Sequence, residues 1–268
     1  MTDVLPAPRR SGWLVTGLLL AVLALALTTS GIWYWLGGTS PTYAAAEERE
    51  YQHPVDRLVL DLDVGAVTVT GTTGTGTVQV TRHFTFSQRR HPAATETWQG
   101  DALHIGPPRC VPDTGGCSAD YTIRLPAGTP VDVTTGSGDI STRGITGDQR
   151  LDTGLGTVRV AGSGRTLDID DRAGDIIGTR LAATDTVVST NGQIALDYLT
   201  VPTALDATSN GGDIDVAVPR AGDGTDAYRV DTGDAIHKND ATVDVAQDPA
   251  GRHLLFIRAD QGNARVHY

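Results

Sequence analysis

Apolar residues fall at every second position in short runs along most of the chain. Val131-Asp132-Val133, Leu151-Asp152-Thr153, Leu167-Asp168-Ile169 and Leu205-Asp206-Ala207 each turn one face of a strand away from their acidic residue. A second set, Val158-Arg159-Val160, Ile194-Ala195-Leu196 and Ile214-Asp215-Val216, alternates in the same way. Between the two sets lie Gly, Asn or Asp, residues that admit the positive φ of tight turns. The turn phrase itself recurs: Gly136-Ser137-Gly138-Asp139-Ile140, Leu155-Gly156-Thr157-Val158, Ala173-Gly174-Asp175-Ile176, Asn191-Gly192-Gln193-Ile194 and Gly211-Gly212-Asp213-Ile214. Ile140, Val158, Ile176 and Ile194 are each 18 residues apart, and Ile214 follows after 20. A fixed period of this size predicts a repeat architecture. One such unit cannot bury its own apolar edge, whereas stacked units share a continuous core of Val, Ile and Leu. The expectation is an all-β fold, a β-helix-like β-solenoid of about five or six coils.

The residue before each turn Ile or Val reads Asp139, Thr157, Asp175, Gln193, Asp213 down the predicted stack. Directly stacked coils are about 4.8 Å apart. Like charges at that distance repel by roughly 0.9 kcal/mol in water. Alternating acid with neutral keeps the carboxylates two rungs apart, provided the five side chains share one face.

Upstream, residues 57–63 and 64–71 read as strands, and residues 77–86 as a longer one with Val78, Val80, Arg82, Phe84 and Phe86 on one face. Residues 95–99 and 102–105 predict a hairpin through Gly100-Asp101. The loop Gln88-Arg89-Arg90-His91-Pro92 is locally basic and reads as a hairpin tip. Downstream the copies loosen. Gly233-Asp234 closes a weaker one, and residues 254–258 and 264–268 predict the last strands. Phe256 and Tyr268 are the bulky residues expected to shield the last rung from strand addition.

Before all of this stands residues 13–36, without a single charge. At 1.5 Å per residue this is about 36 Å of helix, enough to cross a bilayer of roughly 30 Å. Trp13 marks one end and Trp33-Tyr34-Trp35 the other, as interfacial aromatics do. Arg9 and Arg10 precede the segment, whereas Glu47 and Glu48 follow it. The positive-inside rule then makes residues 1–12 a cytoplasmic tail and exports the rest. The rival reading is a signal peptide with residues 14–27 as its apolar core; the second aromatic cluster favours the anchor. Residues 37–53 read as a linker, with a turn or two of exposed helix at residues 44–50. Residues 54–268 are the extracytoplasmic β-solenoid domain.

Charge and composition narrow the partners. The whole chain carries −11, and only 5% of it is aromatic. Residues 1–36 hold Asp3, Arg9 and Arg10, so the exported part is one charge more acidic still. That argues against nucleic acid, which needs a basic stripe, and against direct binding to anionic lipids or wall polymers. It suits a protein partner or a neutral glycan of the envelope better. Oligomeric state is open.

The two cysteines, Cys110 and Cys117, enclose a turn-rich stretch. An even pair outside the membrane is most simply a disulfide; the spacing is wrong for a Cys-x-x-Cys redox site, and no second ligand pair suggests zinc. From Cys117 the chain runs through Asp120-Tyr121-Thr122-Ile123-Arg124-Leu125-Pro126-Ala127-Gly128 into Gly136-Ser137-Gly138-Asp139-Ile140. This order of strand, Leu-Pro-Ala-Gly, strand and Ser-Gly-Asp-Ile resembles the bacterial β-strand-repeat domain of unknown function often labelled an adhesin. The likeness covers roughly residues 55–268. It implies an exported β-solenoid with an envelope role, and it carries no catalytic residues. Thr157 and Gln193 depart from its Gly-Asp phrase.

Four functions compete. The first is a non-catalytic envelope-binding or sensor-accessory module, for which no cofactor is expected. The second is a scaffold that stacks or polymerises. A calcium solenoid would use the turn positions Gly138, Asp139, Gly156, Gly174, Asp175, Gly192, Gly212, Asp213, Gly233 and Asp234, or the denser group Asp168, Asp170, Asp171 and Asp175. The nine-residue Gly-Gly-x-Gly-x-Asp repeat of calcium rolls is missing, however. A polysaccharide-active β-helix would need two carboxylates across a cleft; His83, His104 and His253 share no ligand spacing. The non-catalytic module is the favoured reading.

Overall fold

The structure, a computed structural model, describes residues 20–28, 42–74, 76–87, 91–110, 116–220, 227–233 and 241–268. The chain divides into two units, Met1–Thr42 and Tyr43–Tyr268. In the first, residues 20–28 are helical. No helix among the described residues is long and apolar enough to cross a membrane. Residues 1–12, and the parts of the 13–36 segment at 13–19 and 29–36, lie outside the described residues.

The second unit is all β. Its first strands are β1 (Tyr43–Tyr51), β2 (Arg57–Val64), β3 (Val67–Thr72), β4 (Val78–Phe86), β5 (Ala93–Gln99), β6 (Ala102–Arg109) and β7 (Cys117–Pro126). The middle is β8 (Val131–Ser137), β9 (Ile140–Ile145), β10 (Gln149–Thr153), β11 (Val158–Ser163), β12 (Thr166–Asp171), β13 (Ile176–Leu181), β14 (Asp185–Thr190), β15 (Ile194–Tyr198), β16 (Ala204–Ser209) and β17 (Ile214–Ala217). The last strands are β18 (Tyr228–Asp231), β19 (Ala241–Asp244), β20 (His253–Ala259) and β21 (Ala264–His267).

They form two sheets, one of 11 strands in the order β1-β4-β7-β3-β9-β11-β13-β15-β17-β21-β19 and one of 10 in the order β18-β20-β16-β14-β12-β10-β8-β2-β6-β5. Each coil of the middle gives one strand to each sheet, which is the solenoid-like stack that the 18-residue period predicts. Alternation decides which side chains meet between the sheets. In β8, Val131 and Val133 are buried while Asp132 is not; in β15, Ile194 and Leu196 are buried while Ala195 is exposed. Parallel pairing then lines up like with like. Ile140, Val158, Ile176, Ile194 and Ile214 are successive register partners, and so are Leu60, Val133, Leu151, Ile169, Val188 and Ala207. A buried Val, Leu or Ile contributes about 1.5–3 kcal/mol, so the rows supply the driving force for stacking.

Three expectations are corrected. Residues 43–51 are not spacer or helix: β1 pairs antiparallel with β4 from Tyr43↔Phe86 to Tyr51↔Val78, so the folded unit starts well before residue 54. Three of the chain's four Glu lie in this edge strand, where charge discourages further strand addition. Second, rung order departs from sequence order at both ends. The rung β6/β7 lies outside β2/β3, and β18/β19 lies outside β20/β21. Phe256 and Tyr268 therefore sit on or beside the penultimate rung, not on the terminal one. Tyr268 instead accepts the Ala246 N–H at its hydroxyl, 2.7 Å away, with the Arg220 guanidinium 5.0 Å from its ring. Third, the glycines of the turn phrase are needed for more than φ, as their packing makes plain.

Candidate functional site

The recurring turn is the feature with most chemistry on it. Its glycines stack in one column. A Cβ on Gly138, Gly156, Gly174, Gly192 or Gly212 would stand closer than 3.0 Å to the carbonyl oxygen of the glycine one rung earlier. Gly138 and Gly156 also hold φ of 153° and 152°. Backbones that approach this closely leave no room for a side chain. Gly233 differs, with φ 68° and nothing near its missing Cβ. Asp234 lies outside the described residues.

The acids of the turns share one column and face the neighbouring rung. The Thr157 N–H donates to Asp139 Oδ1 at 2.9 Å, the Gln193 N–H to Asp175 Oδ1 at 2.9 Å, and the Asn263 N–H to Asp213 Oδ1 at 2.7 Å. The Ala66 N–H donates to Asp120 Oδ1 at 2.8 Å. Along the axis the column reads Asp120, Ala66, Asp139, Thr157, Asp175, Gln193, Asp213, Asn263. Among the described residues acid and non-acid alternate along it, and every acid caps the next non-acid rung. Charge-assisted bonds of this kind satisfy turn N–H groups that no strand partner reaches. Thr157 and Gln193, the two departures from the Gly-Asp phrase, are the residues whose N–H groups receive this service. Sequence reasoning found five members of the column and missed Asp120, Ala66 and Asn263, because the end rungs are out of chain order.

The denser acidic group does not converge. Asp168 pairs with Arg150 at 2.7 Å, Asp170 accepts the Ser189 hydroxyl at 3.0 Å, Asp175 caps Gln193, and Asp171 points inward and is buried. No three His, Cys, Asp or Glu among the described residues are placed to share a metal ion. His83, His104 and His253 stand on β4, β6 and β20, and His253 Nδ1 lies 2.8 Å from Pro202 O. The loop at 88–90 lies outside the described residues.

Just inside the turns runs a buried column of hydroxyls. Thr135, Thr153, Thr190 and Ser209 donate to the carbonyls of Gly65, Gly138, Gly174 and Gly192. In the last two coils the hydroxyl also accepts an N–H from its own turn, Gly192 or Gly212, at 2.9 Å. A Thr or Ser just ahead of four of the Gly phrases was the signal available in the sequence. An open depression of about 470 Å3 spans three of these turns, with Gly156, Gly174 and Gly192 in its wall.

The first end of the stack carries a different device. Arg82 is 1% exposed, and its Nη1 lies 2.5 Å from Glu96 Oε1 across from the opposite sheet. Glu96 also takes Arg49 Nη1 at 2.8 Å and the Tyr51 hydroxyl. Burial, then the Glu96 carboxylate, pushes the Tyr51 phenol up to about 12. Burial does the same to Tyr121, against the pull of Arg82. Alternation placed Arg82 among the inward residues of β4, but nothing in the sequence pointed to Glu96 as its partner. Nearby, Cys110 and Cys117 form the expected disulfide, with Cα atoms 6.1 Å apart.

The family described as Toastrack DUF4097 matches residues 123–261. No curated protein matches the chain. Among solved structures, a candidate cell adhesion protein from Clostridium sporogenes ATCC 15579 aligns at 11% identity and TM-score 0.33, covering 83% of this chain and 99% of that one. A candidate adhesin from Parabacteroides merdae ATCC 43184 aligns at 11% identity and TM-score 0.28, covering 83% and 96%.

Proposed function

The chain belongs to the Toastrack DUF4097 family, and from that premise we propose that it is a non-catalytic binding module of the cell envelope, adhesin-like or accessory to a sensor. The observation that carries the reading is how the turn chemistry is used. Asp139, Asp175 and Asp213 each accept a backbone N–H of the next rung, so the residues that resemble a ligand array hold the stack together. What is left for recognition is two long sheet faces, polar on the outside and acidic in sum. The sequence supports display outside the cell, with residues 13–36 as a single membrane anchor and residues 1–12 in the cytoplasm. Acidity favours a protein or a neutral glycan over an anionic wall polymer.

Co-sedimentation of the protein with isolated envelope material tests this reading, first with Ca2+ and then with chelator. Saturable pelleting that ignores chelator is the expected result. Pelleting lost on chelation would return the turn acids to the role of ligands. No pelleting in either condition would overturn envelope binding and favour a scaffold. The orientation is tested apart from it, by protease accessibility of the second unit in intact cells.

A further inference from the structure

The buried hydroxyl column is interrupted in two coils, by Asp171 on β12 and by Ala259 on β20, and only Asp171 puts a titratable group there. Four coils send a hydroxyl to the carbonyl of the column glycine one rung earlier. Thr135 serves Gly65, Thr153 serves Gly138, Thr190 serves Gly174 and Ser209 serves Gly192. Between β8 and β16 the carbonyl missing from that series is Gly156, and the register partner of Thr153 and Thr190 in the coil that should serve it is Asp171. Asp171 is 1% exposed, and its Oδ2 has no hydrogen-bond partner. Its Oδ1 accepts the Ala173 N–H at 3.1 Å. A Cβ built on Gly174 would run into both Gly156 O and Asp171 Oδ2, so the two oxygens look onto the same point. Two acceptors that face each other out of water repel, and a proton between them turns the contact into a hydrogen bond.

We propose that Asp171 is a proton-operated latch between rungs: in the folded domain it is the neutral acid, and its carboxyl O–H takes the place of the Thr or Ser hydroxyl and donates to Gly156 O. No bond other than the carboxyl O–H forms or breaks, and the proton comes from solvent.

The surroundings favour the neutral form. On its own element and turn the charged groups are Asp168, which is held by Arg150 at 2.7 Å, and Asp170, Arg172 and Asp175. The facing residues of β10 and β14 are Thr153 and Thr190, both uncharged, with Asp152 in register with Asp170. Across the turn, Arg159 of β11 is engaged with Asp139 at 3.1 Å. Burial first, then Asp175 and Asp170, raises the Asp171 carboxyl from 3.8 to about 6, against the Ala173 and Gly174 N–H groups. A carboxyl raised on folding binds its proton more tightly in the folded chain than in the unfolded one. Its contribution is therefore full below the ordinary value and is lost as pH rises through about 6. A gap of about two pKa units is about 100-fold in the ratio of folded to unfolded protein.

The test uses the full chain in detergent, with 13C-labelled aspartate and with urea unfolding from about pH 4 to about pH 8. Asp171→Asn assigns the carboxyl signal, and Asp171→Thr restores the hydroxyl of the column. The expected results are a carboxyl midpoint near 6 and a folded-to-unfolded ratio that favours D171T over the unsubstituted chain by up to about 100-fold at the alkaline end, with the advantage gone at the acid end. A midpoint in the ordinary carboxylate range would overturn the proposal, and so would an advantage of D171T that does not change with pH. If D171T does not fold, the carboxyl titration of the unsubstituted chain decides alone. Stabilisation by Ca2+ at neutral pH that D171T abolishes would also overturn it, because the bridging charge would then be a cation.

Discussion

The middle of the stack and its two ends solve one problem by different means. From β8 to β15 every strand pairs with the strand two elements later, so spatial order is chain order through β17 and one turn phrase serves each coil. Before β8 and after β17 the chain passes its own last rung and returns. β7 slots between β4 and β3, and β20 slots between β18 and β16. An interior rung has neighbours on both sides and can be held by rows of identical residues. An end rung has one neighbour and an open edge, and it must be closed by contacts that cannot repeat. Those contacts are the Arg82–Glu96 pair between the sheets, the antiparallel strands β1 and β5, the Cys110–Cys117 bridge and the Tyr268 hydroxyl. Repetition stabilises an interior, whereas irregular polar chemistry finishes an end.

Substitutions that add one methyl test that contrast most severely. Gly174→Ala would push a Cβ into the Gly156 carbonyl and the Asp171 carboxyl; a loss of about 4 kcal/mol or more is expected in denaturant unfolding. Gly233→Ala, at an end with open space around it, is expected to cost only about 1–2 kcal/mol, through its φ of 68°. Equal losses at the two sites would show that stacking distance is not what demands glycine in the middle.

Arg82→Ala would leave Glu96 buried beside an empty space, with an expected loss of about 3–5 kcal/mol. Hydrogen exchange should then rise in β1, β4 and β5 while β12 to β15 keep their protection. A uniform rise along the stack would mean that the ends and the middle unfold as one unit. Replacing both Cys110 and Cys117 by Ser opens an eight-residue loop at the same end. The expected cost is about 2.5 kcal/mol, again confined to the first strands.

The smallest effect is expected to be a gain. Arg180 has φ 53°, whereas its counterparts one and two rungs earlier are Gly162 and Gly144, at 72° and 65°. A non-glycine residue there costs about 1 kcal/mol. Arg180→Gly should raise the unfolding free energy by that amount, seen as a higher denaturant midpoint, and a lower midpoint would show that the Arg180 side chain does more than its backbone costs.

The acid column shows how far a sequence can be read. Alternation of Asp139, Thr157, Asp175, Gln193 and Asp213 was visible because those coils follow one another at fixed spacing. Its physical purpose was only half visible. Charge spacing explains why acids skip a rung; the structure adds that each acid caps the rung it skips to. Ala66, Asp120 and Asn263 belong to the same column but sit at no regular interval, since the end rungs are stacked out of order. Arg82 shows the same limit, because its partner stands on the other sheet and its inward direction is all that alternation can supply.

Local periodicity by itself determined the strands of the regular coils, the coil length and which of their side chains turn inward, since those follow from the two-residue repeat of a strand and the 18-residue repeat of the turn phrase. It also determined the cysteine pair, since only two cysteines exist. Tertiary structure alone decided where the first and last rungs sit, that residues 43–51 are an edge strand, and that Asp171 occupies a place its neighbours give to a hydroxyl. Each of these depends on which strand lies alongside which. Beyond the regular coils that choice rests on single long-range contacts, and a single contact leaves no period in the sequence.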